Sequence, residues 1–313
     1  MITVYLDKQV FSHLFKARED KYVHLREKIL SHKDEFIFFY SNGHLFDLQN
    51  DPTDLKFKEM EYMQSFVDGN RLIYENSKLG IIKQSPCDAF NTIGRIEDFS
   101  WLENVDFSQI TEEQRNAINN IVDITFKDLK GELEPNWLTK RTPILENKLQ
   151  VDIPAFISLM KFVSYNFYEN KDSYKIVRDK TMAIYNPTSI TTENESDFNE
   201  QLASSPLGLS FLGMIKAVLI QIGIHSIELT TIYYLSYMFL DLFGVNKEAR
   251  KKVRFRNIQI DCLHSFFGSF CDYIVSDDEG VRLKSNTLYK LFNIGTEVYS
   301  IDEFIEKLEN LYP

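Results

Sequence analysis

The order of strand and helix signals at the two ends of the chain limits most strongly how it can fold. ITVYLD, at the N-terminus, is a β-branched and aromatic run that ends on Asp7, as a buried strand does. Apolar residues at helical spacing follow over 9–33 (Val10, Phe11, Leu14, Phe15, then Val23, Leu25, Ile29, Leu30), with a break near 17–21. FIFFY, at 36–40, is a second continuous apolar run, consistent with a strand buried on both faces. Ser41-Asn42-Gly43 then supplies turn and N-cap chemistry ahead of HLFDLQ. Strand, helix, strand, helix predicts a parallel sheet with helical crossovers. The C-terminus repeats the pattern, with a helix over 260–271, the strand YIVS at 273–276, a helix over 281–292 and a short strand at 297–299. A last helix opens on the capping box at Ser300 and Glu303.

The middle reads differently. From about 50 to 245 the signals are mostly helical, with a capping box at Thr111 and Gln114. Residues 186–206 hold four acids, no base and two prolines, which predicts a polar linker or mobile loop. The expected organisation is an α/β core split between 1–50 and 246–313, interrupted by a mostly α-helical insertion over 51–245. No internal repeat occurs.

Composition narrows the class. With 44% hydrophobic and 26% charged residues, the chain is neither disordered nor collagen-like. Three cysteines are too few for a disulfide framework, which points to a reducing, cytoplasmic setting. There is no basic region with an apolar run at Met1, so no signal peptide is expected. Lys216, His225, Glu228 and Asp241 break the apolar stretch 206–243 into runs such as the 12 residues 229–240, short of the roughly 20 that span a bilayer. Two buried core helices are expected there, and no membrane.

The total charge of −11 argues mildly against a protein that coats nucleic acid. It is not spread evenly. Residues 247–256 hold six bases and one acid, giving this stretch +5 and leaving −16 for the rest of a chain that totals −11. Such a patch holds phosphates or forms a solvated helix end.

Carboxylates stand where a parallel sheet presents its ligand-binding edge, at the carboxyl ends of its strands. Asp7 ends the first strand, and Asp47 lies in the first turns of the helix after the second. Asp261 opens the apolar helix after the basic run, and Asp277 and Asp278 follow YIVS. Acids gathered there repel one another unless a cation intervenes, and hard oxygen ligands suit Mg²⁺ or Mn²⁺. Bound divalent ions lower the pKa of a water and stabilise charge on a phosphate under attack.

These residues resemble the PIN-domain ribonucleases. VYLDKQVFSHL is similar to that family's first motif, which implies that Asp7 is a metal ligand. SNGHLFDL resembles the second, a Ser or Thr with an acid six positions on, here Asp47. DCLHSFFGSFCDYIVSDD resembles the third and fourth together, with Asp261 and then Asp278, or Asp277 as its rival. LYKLFNIGTEVYSIDEFIEKL resembles the family's closing strand and helix. The resemblance covers about 130 residues at the two ends. Three features depart from the pattern: Asp where Glu is more usual at the second acid, a gap of 213 residues between the second and third motifs, and His44 and His264 each three residues from an acid. In helices that spacing puts each His and its acid on one face.

The resemblance implies a metal-dependent endoribonuclease. Asp7, Asp261 and Asp278 would bind Mg²⁺ or Mn²⁺, and Asp47 would orient the attacking water. His44 and His264 are accessory candidates for holding a water beside the metal or the scissile phosphate, or are core and capping residues. Lys251, Lys252, Arg254 and Arg256 would hold RNA. The insertion would select substrate or a protein partner, and oligomeric state stays open. Each acid also has a plainer reading, as a helix cap, a surface residue or a turn. The alternative function is a catalytically silent PIN-like scaffold that binds RNA or a protein. A phosphoacceptor module, with Asp7 or Asp47 as acceptor, is a weaker third reading, since no lysine in the C-terminal strand serves it. No phosphate-loop, dinucleotide or nucleophile-elbow motif occurs.

Overall fold

The computed structural model describes residues 1–75, 77–94, 210–213, 215–216, 229–242 and 255–312. The elements named here belong to one compact unit built from Met1–Ile96, Thr181–Glu195 and Glu228–Pro313. In chain order they are β1 (Ile2–Leu6), α1 (Lys8–Lys16), α2 (Asp20–Ser31), β2 (Phe36–Phe39), α3 (Asn42–Gln49), α4 (Leu55–Val67), β3 (Asn70–Glu75), β4 (Lys78–Lys83), α5 (Pro86–Thr92), α6 (Leu229–Leu242), α7 (Phe255–Gly268), β5 (Tyr273–Val275), α8 (Glu279–Leu291), β6 (Glu297–Tyr299) and α9 (Ile301–Leu311).

β1, β2, β5 and β6 form a parallel sheet in the order β2-β1-β5-β6, flanked by helices. The fold is therefore α/β, as the sequence predicts. Side chains alternate across the sheet with period two. On one face Val4, Leu6, Phe36, Phe38, Tyr273 and Val275 join a core completed by Leu14 of α1, Leu25 of α2, Phe66 of α4 and Phe304 of α9. The other face turns Tyr5 and Ile274 toward α7. Gly268 ends α7 so close to the sheet that a Cβ there would lie 2.4 Å from Cδ1 of Ile274. Helices on both faces explain why FIFFY reads as an unbroken apolar run rather than as alternation.

Residues 55–92, placed by the sequence at the head of the insertion, pack with the sheet. α4 gives Met60, Met63, Phe66 and Val67 to the core just described. β3 and β4 form an antiparallel hairpin where helical signals dominate the sequence reading. The hairpin adjoins the end of β2, where the N–H of Leu72 donates to the Tyr40 carbonyl over 2.8 Å. The polar linker at 186–206 and most of the expected insertion lie outside the described residues. Among the described residues, no helix is long and apolar enough to cross a membrane.

Strand order places the site. From β1 the chain passes to β2 on one side, and its later strand β5 pairs on the other. The carboxyl ends of β1 and β5 are therefore the switch point, where open α/β sheets bind ligands.

Candidate metal centre

Asp7 is the first residue past β1, and its side chain is the N-cap of α1, where Oδ1 accepts from the Gln9 N–H over 3.2 Å. Its Oδ2 accepts from the Ser276 hydroxyl over 2.6 Å. Ser276 directly follows β5, so this bond ties together the two strands at the switch point. The Asp7 side chain is 7% exposed.

Asp47 lies in α3, and its side chain is 32% exposed. α3 begins at Ser41, whose hydroxyl accepts from the Gly43 N–H while the Ser41 N–H donates to Nδ1 of His44, a reciprocal cap. Gly43 is needed for a close approach: a Cβ there would stand 3.2 Å from the His264 ring.

His264 comes from α7 and is 1% exposed. Its Nε2–H donates to Oδ2 of Asp47 over 3.0 Å and lies 3.8 Å from Oδ1 of Asp7. Its Nδ1 is 2.9 Å from the Tyr5 hydroxyl, which is 2.7 Å from the Ser41 hydroxyl. Burial works against a charge on His264, but Asp7 and Asp47 outweigh it and hold the imidazole pKa above its ordinary value. Burial in turn pushes the Tyr5 phenol well up, so it stays a hydroxyl.

Asp7, Asp47 and His264 thus offer one ligand atom each, all within 4.8 Å of one another. Donors about 2.0–2.3 Å from a common ion stand roughly 3–4.4 Å apart, so small side-chain movements suffice to embrace one. The mixed donor set of two carboxylates and an imidazole fits a divalent cation.

No protein-family model, curated protein or solved structure matches the chain.

The other expected site residues are outside this three-residue group. Asp278 is the N-cap of α8, with Oδ1 accepting from the Val281 N–H over 3.0 Å. Its own N–H donates to the Ser276 hydroxyl over 3.2 Å, so its backbone, but not its carboxylate, is wired to Asp7. Asp277 lies 3.8 Å from Nε2 of His13. Asp261 is not at a helix start, because α7 is already helical from Phe255. It sits three residues before His264 and, like Asp278, outside the group formed by Asp7, Asp47 and His264. Arg256 is partly exposed on α7. Lys251, Lys252 and Arg254 lie outside the described residues.

His44 is a structural residue here. Its Nε2–H donates to the Leu6 carbonyl over 2.7 Å and its Nδ1 accepts from Ser41, which assigns the neutral Nε2–H tautomer. Burial first, then the neighbouring His264, pushes its pKa well below the ordinary value. The unfolded chain takes up a proton here below about pH 6.5, and the native state does not. The stability that depends on neutral His44 is complete above that pH. It is lost as pH falls toward the lowered native value, at up to about 1.4 kcal/mol per pH unit. Urea unfolding should show the gap between the wild type and His44→Gln narrowing from about pH 7.5 to about pH 5. An unchanged gap would mean that the native imidazole takes the proton.

Proposed function

We propose that this chain is a PIN-like ribonuclease that depends on a divalent cation. The observation behind this reading is the meeting of Asp7, Asp47 and His264, from three separate stretches of chain, at the switch point of a parallel sheet. The cation would be held by those three residues. When bound, it supplies a more acidic water and offsets charge on a phosphodiester.

The chain's own residues account for the rest. Ser276 and the start of α1 hold the Asp7 carboxylate in place. Asp47, the most exposed of the three, faces the solvent side from which a phosphate would approach and receives the proton of the attacking water. His264 is held by Tyr5 from behind. The substrate is single-stranded or structured RNA in the cytoplasm, held by the basic run at 247–256, with the insertion choosing substrate or protein partner.

The test is direct. Purified chain incubated with labelled single-stranded RNA should cut it with Mn²⁺ or Mg²⁺ and not with EDTA. Cleavage that survives EDTA would refute the proposal.

One observation favours a second reading. The His264 N–H already donates to Asp47 beside Asp7, so a protonated imidazole offsets the two carboxylates by itself. The chain would then be a silent PIN-like scaffold. In that case Mn²⁺ leaves the thermal melt where it is, because a ligand that binds only the native state must raise its stability.

A further inference from the structure

We infer that the site selects a first-row transition-metal ion over Mg²⁺, through a nitrogen of His264 that Tyr5 aims. This rests on the cation-dependent reading above and specifies which cation it concerns.

Mg²⁺ prefers oxygen ligands and keeps its waters, whereas imidazole suits transition metals. Asp7 and Asp47 alone would not discriminate strongly. His264 replaces one oxygen donor with Nε2, the nitrogen that faces both carboxylates.

A metal-ligating histidine needs a partner on its other nitrogen to fix ring orientation and tautomer. Here that partner is the Tyr5 hydroxyl, 2.9 Å from Nδ1 and buried within the sheet. A hydroxyl both donates and accepts. With a proton on Nε2, Tyr5 donates to Nδ1 and accepts from Ser41. With Nε2 given to an ion, Nδ1–H donates to Tyr5, which turns its own proton to Ser41 over 2.7 Å. Ser41 Oγ also accepts from the Gly43 N–H and is anchored in either arrangement. In both states Nδ1 of His264 and the Tyr5 hydroxyl therefore keep a hydrogen-bond partner. A Phe at position 5 would pack equally well but could not make the exchange.

The experiment uses the full chain and the metals alone. Mn²⁺ binding is followed by loss of its free electron-paramagnetic-resonance signal, and Mg²⁺ by competition. Pulsed spectra of the Mn²⁺ complex report directly bound nitrogen. Mn²⁺ should bind at least ~10-fold more tightly than Mg²⁺ and show nitrogen coupling. His264→Gln should remove the coupling and bring the two affinities together. Tyr5→Phe should keep the coupling and weaken Mn²⁺ ~10–100-fold, a shift that a purely packing role for Tyr5 would not produce. If Mn²⁺ binds without nitrogen coupling, or if His264→Gln leaves the Mn²⁺ preference intact, the inference fails while the cation-dependent reading stands. If neither ion binds, both fail together.

Discussion

Asp7→Asn should remove cation-dependent RNA cleavage, by about 10²–10³-fold or more, while leaving the fold in place. That magnitude is the usual loss when one preorganised electrostatic partner is taken from an active site. The selectivity of the effect follows from the surroundings of Asp7. As an N-cap, Asn serves about as well as Asp, so the start of α1 keeps its side-chain acceptor. Ser276 donates to Asp7 now, but its hydroxyl can turn and accept from an amide. The unfolding free energy should therefore stay within about 1 kcal/mol of wild type. What disappears is one of the two negative charges that face His264. The measurement is single-turnover cleavage of a labelled RNA with Mn²⁺, paired with urea unfolding of the same preparation. Undiminished cleavage by a folded Asp7→Asn chain would sink the proposed role.

The frame of this site was legible in the sequence because it depends on local signals. β1 is readable as a β-branched and aromatic run and β2 as a continuous apolar one, with Asp7 and Ser41 as the residues that end them. The sequence could not say which residue of α7 joins Asp7 and Asp47. Asp261 and His264 are three positions apart, which on a helix is about 60° short of a full turn. A modest rotation of α7 decides between them, and tertiary packing sets that rotation. Gly43 leaves room for the His264 ring, and Gly268 lets the end of α7 approach Ile274. Tyr5 was hidden for the opposite reason, since in ITVYL it reads as core. The only signal was a hydroxyl-bearing aromatic at a position that Ile or Val would fill. The β3–β4 hairpin had a signal that was missed, since NRLIYE and KLGIIK are strand-length runs around a polar Asn-Ser pair.

The helix that carries His264 is held by an unusually polar interface, and this yields the second large effect. Tyr233, Tyr237 and Asp241 recur every four residues on α6 and are buried. The Tyr233 hydroxyl lies 2.6 Å from that of Ser265, next to His264. Ser285 of α8 donates to the same Ser265 oxygen over 2.7 Å, and Tyr289 donates to the Ser265 carbonyl. Beneath them the ammonium of Lys284 donates to Asp241 over 2.8 Å, with side-chain exposures of 1% and 0%, and stands 5.3 Å from the ring centre of Tyr237. Asp241→Asn keeps the shape and removes the compensating charge, stranding the ammonium away from water. It should cost about 3–5 kcal/mol, which is the penalty for an uncompensated buried ion rather than the net worth of the pair. Replacing both partners, Asp241→Leu with Lys284→Met, should recover part of that loss because the ammonium is removed together with the carboxylate it pairs with. Equilibrium urea unfolding at neutral pH distinguishes the cases. A single-variant cost below about 1 kcal/mol would mean that water reaches Lys284. A double variant as unstable as the single one would mean that hydrogen-bond geometry, not charge, holds α6 and α8 against the helix of His264.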